Sequence, residues 1–121
     1  MTFIWKDYLD VAKNLRGDSI ACSSEARLRS GVSRAYYAAF CHARDYARKN
    51  LGYQATGRAQ DHQTLKGYYG KHGLSAIALK LDDLRTWRNI CDYDDQLAAS
   101  MNIQRLINAA IKRAEDIISQ L

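Results

Sequence analysis

Apolar residues return at helical spacing along most of this chain. A first stripe runs through Ile4, Tyr8, Val11, Ala12 and Leu15, and a second through Val32, Tyr36, Ala39, Phe40, Ala43 and Ala47. A shorter segment spans about 62–71. A fourth stripe carries Leu74, Ile77, Leu81 and Leu84, and the last and cleanest carries Ile103, Leu106, Ile107, Ala110, Ile111, Ala114, Ile117, Ile118 and Leu121. Glycine and polar clusters at 16–24, 51–61 and 70–73 separate these stripes, with a further break near 92–100. Ser23 or Ser24 is placed to cap the second helix and Asp61 the third. Short loops between amphipathic helices predict antiparallel neighbours. The expected fold is all-α: an up-and-down bundle of four main helices plus one short helix, a single domain over residues 1–121. Its core is predicted to hold Tyr36, Phe40, Leu81, Leu84, Ile107, Ile111 and Ile118 together.

Composition agrees with that picture and narrows the setting. The 121 residues, 47% hydrophobic and 26% charged, suit one globular core rather than a disordered chain. Proline, which breaks helix interiors, is absent. No apolar run reaches the roughly 20 residues that span a bilayer, so no membrane partner is expected. The N-terminus meets an acidic residue too early for a secretory signal. Three cysteines, Cys22, Cys41 and Cys91, are an odd number without CxxC spacing, which argues against disulfides or a zinc knuckle. A cytoplasmic chain with reduced thiols is expected.

The formal net charge is +5. Between residues 16 and 60, Arg16, Arg27, Arg29, Arg34, Arg44, Arg48, Lys49 and Arg58 outnumber Asp18, Glu25 and Asp45. Such an excess is either a solvated face or a surface for phosphate-bearing partners. Within "SGVSRAYYAAF" (30–40), Tyr36 falls at the centre of its stripe and needs a buried partner for its hydroxyl. Tyr37 falls about a quarter-turn away, on a flank with Arg34, Cys41, Arg44 and Arg48. An aromatic interleaved with arginines suits nucleic acid, and Arg34, Tyr37, Arg44 and Arg48 are the candidate nucleic-acid-binding residues. The same arrangement is also ordinary for a helix edge.

A second oddity lies in "LDDLRTWRNICDY" (81–93). Arg88 and Asp92 fall back onto the apolar stripe, where a charge must be paired. Their i,i+4 spacing predicts an ion pair. It is either a structural pin, to which Tyr36 could lend its hydroxyl, or an arginine-centred polar site with Asn89 and Tyr93 on its shoulder. Trp87 lies off the stripe, as a lone surface aromatic or part of a contact patch.

"SRAYYAAF" (33–40), "DHQTLKGYYGKHG" (61–73) and "LRTWRNICDY" (84–93) together resemble the HEPN domain, in particular its small prokaryotic group with an SRAYYA signature. The resemblance runs over about residues 5–120. It implies an all-α bundle, often homodimeric. It further implies a metal-independent, toxin-like ribonuclease of toxin–antitoxin or defence systems, partnered by a minimal nucleotidyltransferase antitoxin. The family's catalytic arginine carries over to Arg88 and its following polar residue to Asn89. The family histidine does not carry over, since Tyr93, Asp94 and Asp95 stand where it should fall. Arg88, Asn89, Asp92 and Tyr93 are therefore the candidate catalytic residues of an atypical or degenerate enzyme. A phenol with a pKa near 10 is a poor base at neutrality, although an arginine there can stabilise a phosphorane-like transition state. His62 could approach this site from the third helix.

Other chemistries find no support in the residue pattern. Glu25 and Glu115 are the only glutamates, and neither begins an ExxH pair of the di-iron kind. No phosphate-loop, HExxH or CxxC pattern occurs, and "DYDDQ" (92–96) lacks EF-hand spacing. No metal or other cofactor is expected. Two functions remain: an RNA- or nucleotide-binding protein with or without cleavage, and a non-catalytic protein–protein interaction module whose Arg88–Asp92 pair is structural.

Overall fold

A computed structural model describes residues 2–17 and 23–121. Asp18 and Cys22, and with them much of the first joint, lie outside the described residues. Those described form five helices: α1 (Asp7–Arg16), α2 (Ser24–Asn50), α3 (Asp61–Lys71), α4 (Ser75–Tyr93) and α5 (Ile103–Gln120). No strand occurs among them. The chain is thus an all-α bundle. None of these helices is long and apolar enough to cross a membrane.

The bundle is organised around α2, which touches every other helix. Its 27 residues make it about 40 Å long at 1.5 Å per residue. Ser23 starts it by accepting a hydrogen bond from the Ala26 amide, and Asn102 does the same for α5 through the Arg105 amide. The buried face of α2 is built from small residues, including Gly31, Ala35, Ala38, Ala39, Ala43 and Ala47. Small side chains let neighbouring helices approach closely. At Gly31 a Cβ would sit 2.3 Å from Ile107 Cδ1 of α5, so a larger residue there forces this side chain to move. The facing stripe of α5 (Leu106, Ile107, Ala110, Ile111, Ala114 and Ile117) is buried.

The short helix α3 is fastened at its C-terminal end by two contacts. Tyr69, fully buried, donates its hydroxyl to the Ala43 carbonyl of α2 at 2.7 Å. At the C-terminus, Gly73 takes a positive φ of 74°, and the Leu74 amide returns to the Tyr69 carbonyl. This is a Schellman closure, which turns the chain directly into α4.

Several expectations need correction. Tyr36, Leu81, Leu84, Ile107 and Ile111 share the core, but Phe40 and Ile118 pack only half-buried against it. In the first helix the buried residues are Leu9 and Ala12, while Ile4 and Val11 are 59% and 41% exposed. The helix begins after Ile4, whose neighbours Phe3 and Trp5 cluster with Tyr8 instead of joining the stripe. Asp61 is the first residue of α3 and does not cap it. Its carboxylate instead accepts from the Thr56 amide and hydroxyl and the Gly57 amide, closing the preceding turn. Trp87 is no open patch: it packs against the core, with the Arg113 guanidinium 4.9 Å from its ring centre.

The difference between full and partial burial along α5 is measurable. Ile107→Ala should cost about 2–5 kcal/mol in urea unfolding, as for other buried large-to-small changes. Ile118→Ala should cost clearly less. Equal losses would contradict the arrangement of α5.

Candidate functional site

Arg88 is the best-defined polar residue of α4. Its Nε donates to Asp92 Oδ2 at 2.9 Å, as the i,i+4 spacing predicts. Nη1 donates to Asn89 Oδ1 at 3.1 Å and Nη2 to the Tyr93 hydroxyl at 3.3 Å. The Tyr37 and Tyr93 rings each lie 5.3 Å from the guanidinium carbon. A guanidinium has five N–H donors, so two remain after these bonds. The pair is partly sheltered, with side chains 16% and 27% exposed.

The α4 end that carries Asp92 is held by α2. Arg29 Nη1 donates to the carbonyls of Cys91 and Asp94 at 3.1 and 2.6 Å, satisfying orphan acceptors at the helix C-terminus. Ser33 donates to Asp92 Oδ2 at 3.2 Å. Ser33 and Arg34 of the "SRAYY" stretch therefore do different work: one steadies Asp92, the other joins the basic surface.

Beside Arg88 the surface opens into a cleft of about 370 Å³. Tyr36, Tyr37, Phe40 and Arg44 line it from α2, Arg58 from the loop before α3, His62 from α3, and Arg85 and Arg88 from α4. A second cleft of about 390 Å³ adjoins it, sharing Tyr37, Phe40 and Arg44 and adding Trp5, Tyr8 and Arg34. Asp61 is the only carboxylate lining either cleft among the described residues, and the turn at Thr56 and Gly57 already engages it. These bonds, chiefly the Thr56 hydroxyl, hold its carboxyl below the usual range. Arg34 lies over Tyr8 and Tyr37 at 4.9 and 5.1 Å, and Arg44 over Trp5 at 5.3 Å. The aromatic rings thus serve as supports for guanidinium groups.

The floor of the first cleft is a buried Tyr36–His62 pair. The Tyr36 hydroxyl lies 3.0 Å from His62 Nδ1. This is the partner Tyr36 needs, and it is not the Arg88–Asp92 pair. His62 is 2% exposed, and its Nε2 lies 3.7 Å from Asp82 Oδ1 without a hydrogen bond. Burial, reinforced by the nearby Arg85 charge, pushes the His62 pKa down to about 4, so the ring is neutral at pH 7. Burial likewise pushes the Tyr36 phenol up to about 12.

The sequence-derived candidates therefore separate. Arg88, Tyr37 and Arg44 meet at the first cleft, and Arg34 lies in the second. Asn89, Asp92 and Tyr93 hold Arg88 from its far side, where Tyr93 is 69% exposed. Arg48 lines neither cleft and is paired with Asp45 at 3.1 Å. Arg85 and the placement of Arg58 were missed. Arg85 sits one turn before Asn89 and resembles any polar helix position, while Arg58 reaches the cleft only through the Asp61-closed turn. Cys41 and Cys91 are free and buried, and burial raises both thiols, Cys91 to about 11. Neither is a thiolate near neutrality. Among the described residues, no group of three or more His, Cys, Asp or Glu side chains is placed to hold a metal ion.

No family model matches the chain, and no solved structure does. Among curated proteins it is similar to the uncharacterized protein MJ0992 of Methanocaldococcus jannaschii, 28% identical over 105 residues. That match covers 73% of this chain and 58% of the relative, so the chain spans little more than half of that protein's length.

Two measurements probe this geometry. Asp92→Ala should lower stability by about 1–2 kcal/mol, between the values for an exposed pair and a buried one. A change of 3 kcal/mol or more, of the order seen for buried pairs, would show that the pair is shut away from water. His62 should also make stability pH-dependent. The unfolded chain takes up a proton near pH 6.5, which the folded ring refuses until about pH 4. Stability from this residue is present above pH 6.5 and is lost as pH falls toward 4, by about 3 kcal/mol at most. In His62→Gln the stability–pH curve should be flatter over this window. An unchanged slope would show that His62 titrates normally.

Proposed function

We propose that this chain is a HEPN-like protein that binds RNA or nucleotides along the two adjoining clefts, acting in the cytoplasm as a homodimer. The observation that carries this reading is the lining of those clefts. Arg34, Arg44, Arg58, Arg85 and Arg88 face them against a single carboxylate, Asp61, whose oxygens are engaged by the turn at Thr56 and Gly57. Such a surface attracts phosphate through charge and through bidentate N–H geometry. The family resemblance adds the setting: a toxin–antitoxin or defence system, with a minimal nucleotidyltransferase as antitoxin.

The reaction that this resemblance implies is cleavage of RNA by attack of a 2′-hydroxyl on the adjacent phosphate, with loss of its proton, breakage of the bond to the 5′-oxygen and protonation of that leaving oxygen. Arg88 is suited to stabilise the charge that develops on phosphorus-bound oxygens, because its orientation is fixed and two donors are free. Proton transfer is the weak part. Tyr93 accepts from Arg88 and stands where the family histidine is missing. His62 is neutral, as a base must be, but its ring is buried. Binding is therefore the primary activity, with slow or absent cleavage.

RNA affinity should fall steeply with salt, since each neutralised phosphate releases counterions. Any cleavage should persist in EDTA and vanish in Arg88→Ala while the helical circular dichroism is retained. Equal cleavage by both proteins would remove Arg88 from the chemistry. No RNA binding at low salt would leave the protein–protein interaction module, with Arg88–Asp92 as a structural pair, as the function.

A further inference from the structure

We infer that the first cleft is a receptor for a terminal phosphate, the monoester dianion carried by a nucleotide or by an RNA end, recognised with little regard to the base. This inference rests on the proposed RNA- or nucleotide-binding reading and narrows it to one chemical group.

Charge balance gives the first argument. Among the described residues, Arg58 and Arg85 have no carboxylate within ion-pair distance. Arg44 has its Nε without a hydrogen bond and 3.7 Å from Asp45. Arg88 is already balanced by Asp92. The Asp61 carboxylate, held only by neutral donors, keeps its negative charge and offsets one of these arginines, so the excess left in about 370 Å³ is one positive charge plus the part of Arg44 that Asp45, shared with Arg48, does not balance. A diester linkage brings one negative charge. A monoester brings close to two at neutral pH, with three strong acceptor oxygens, and so matches the site better.

The clefts also lack a free stacking platform. The guanidinium groups of Arg34 and Arg88 both lie over the Tyr37 ring. Phe40 is stacked on Tyr36 and His62, at 5.6 and 6.0 Å between ring centres. Sequence-tolerant single-strand binding normally offers open aromatic faces to bases. Here those faces hold arginines or one another, so recognition falls to charge and N–H donors. The Tyr36–His62 pair lies beneath the cleft, and the Asp61-fastened turn brings Arg58 to its rim. The adjoining cleft with Arg34 can take the next linkage.

The test uses a fluorescently labelled short oligoribonucleotide prepared with a 5′-phosphate, a 3′-phosphate or hydroxyl ends, with AMP and adenosine as competitors. Binding is read by anisotropy. One phosphorylated end should bind about tenfold tighter than the hydroxyl form, the scale of a charge-assisted hydrogen bond. AMP should compete and adenosine should not. The preference should fade below about pH 6, where the dianion takes up a proton and becomes a monoanion. Arg58→Gln, in an exposed turn, and Arg85→Ala should each erase most of the preference, whereas Arg48→Ala should keep it. AMP that competes as well as free phosphorylated RNA would identify mononucleotides as the source of the phosphate. Much tighter binding of the RNA would identify its end. RNA that binds equally whatever its ends would overturn the terminal-phosphate site and leave the RNA-binding reading standing. Failure of both RNA and AMP to bind would overturn both. A preference that survives in both cleft variants would also overturn this assignment.

Discussion

The burial of α2 against its neighbours is the constraint on which the rest of this structure depends. One long helix serves as the common wall for α1, α4 and α5, and α3 closes against it through the Tyr69–Ala43 hydrogen bond. Small side chains make this feasible. Alanine and glycine on the buried face let several helices approach one axis, and the larger residues on α4 and α5 fill the space between. The contact of Gly31 with Ile107 is the closest expression of that packing.

The same helix organises the polar surface. On its buried face Tyr36 sends its hydroxyl across to His62 and joins α3 to the core. Its flank carries Ser33 and Arg29, which hold the end of α4, and then Arg34, Tyr37 and Arg44, which line the clefts. Arg88 is consequently positioned twice, by residues of its own helix and by α2 acting through Asp92. A guanidinium held this firmly loses little freedom when it meets a ligand, which favours recognition of a phosphate over non-specific attraction.

The electrostatics of the clefts follow from what is missing around the arginines as much as from their number. Most nearby carboxylates are paired with one arginine or shared: Asp83 with Arg113, Asp92 with Arg88, and Asp45 between Arg48 and Arg44, while Asp61 keeps its charge with its oxygens engaged by the turn before α3. Arg58 and Arg85 are left facing a small, open cleft. Its concave shape strengthens the field there relative to a flat surface. His62 stays neutral under the same influences, so the floor of the cleft adds no further charge.

Helical periodicity in the amino-acid sequence was enough to determine an all-α bundle, the α5 core stripe, a cap at Ser23 or Ser24 and the Arg88–Asp92 pair, because each depends on neighbours within one or two turns of helix. Where a stripe could close on either of two faces, local pattern was insufficient. The N-terminal apolar residues split between α1 and an aromatic cluster, and Phe40 and Ile118 stayed at the edge of the core, because depth is set by what packs on top. Asp61 illustrates the same limit: its carboxylate found better donors in the turn at Thr56 than at its own helix start. The clefts were decided by tertiary structure alone. Arg44, Arg58, Arg85 and Arg88 come from three separate segments, and only the packing of α2, α3 and α4 brings their charges into one volume. Sequence spacing reports the faces of single helices, whereas a site between helices depends on the angles and distances at which those faces meet.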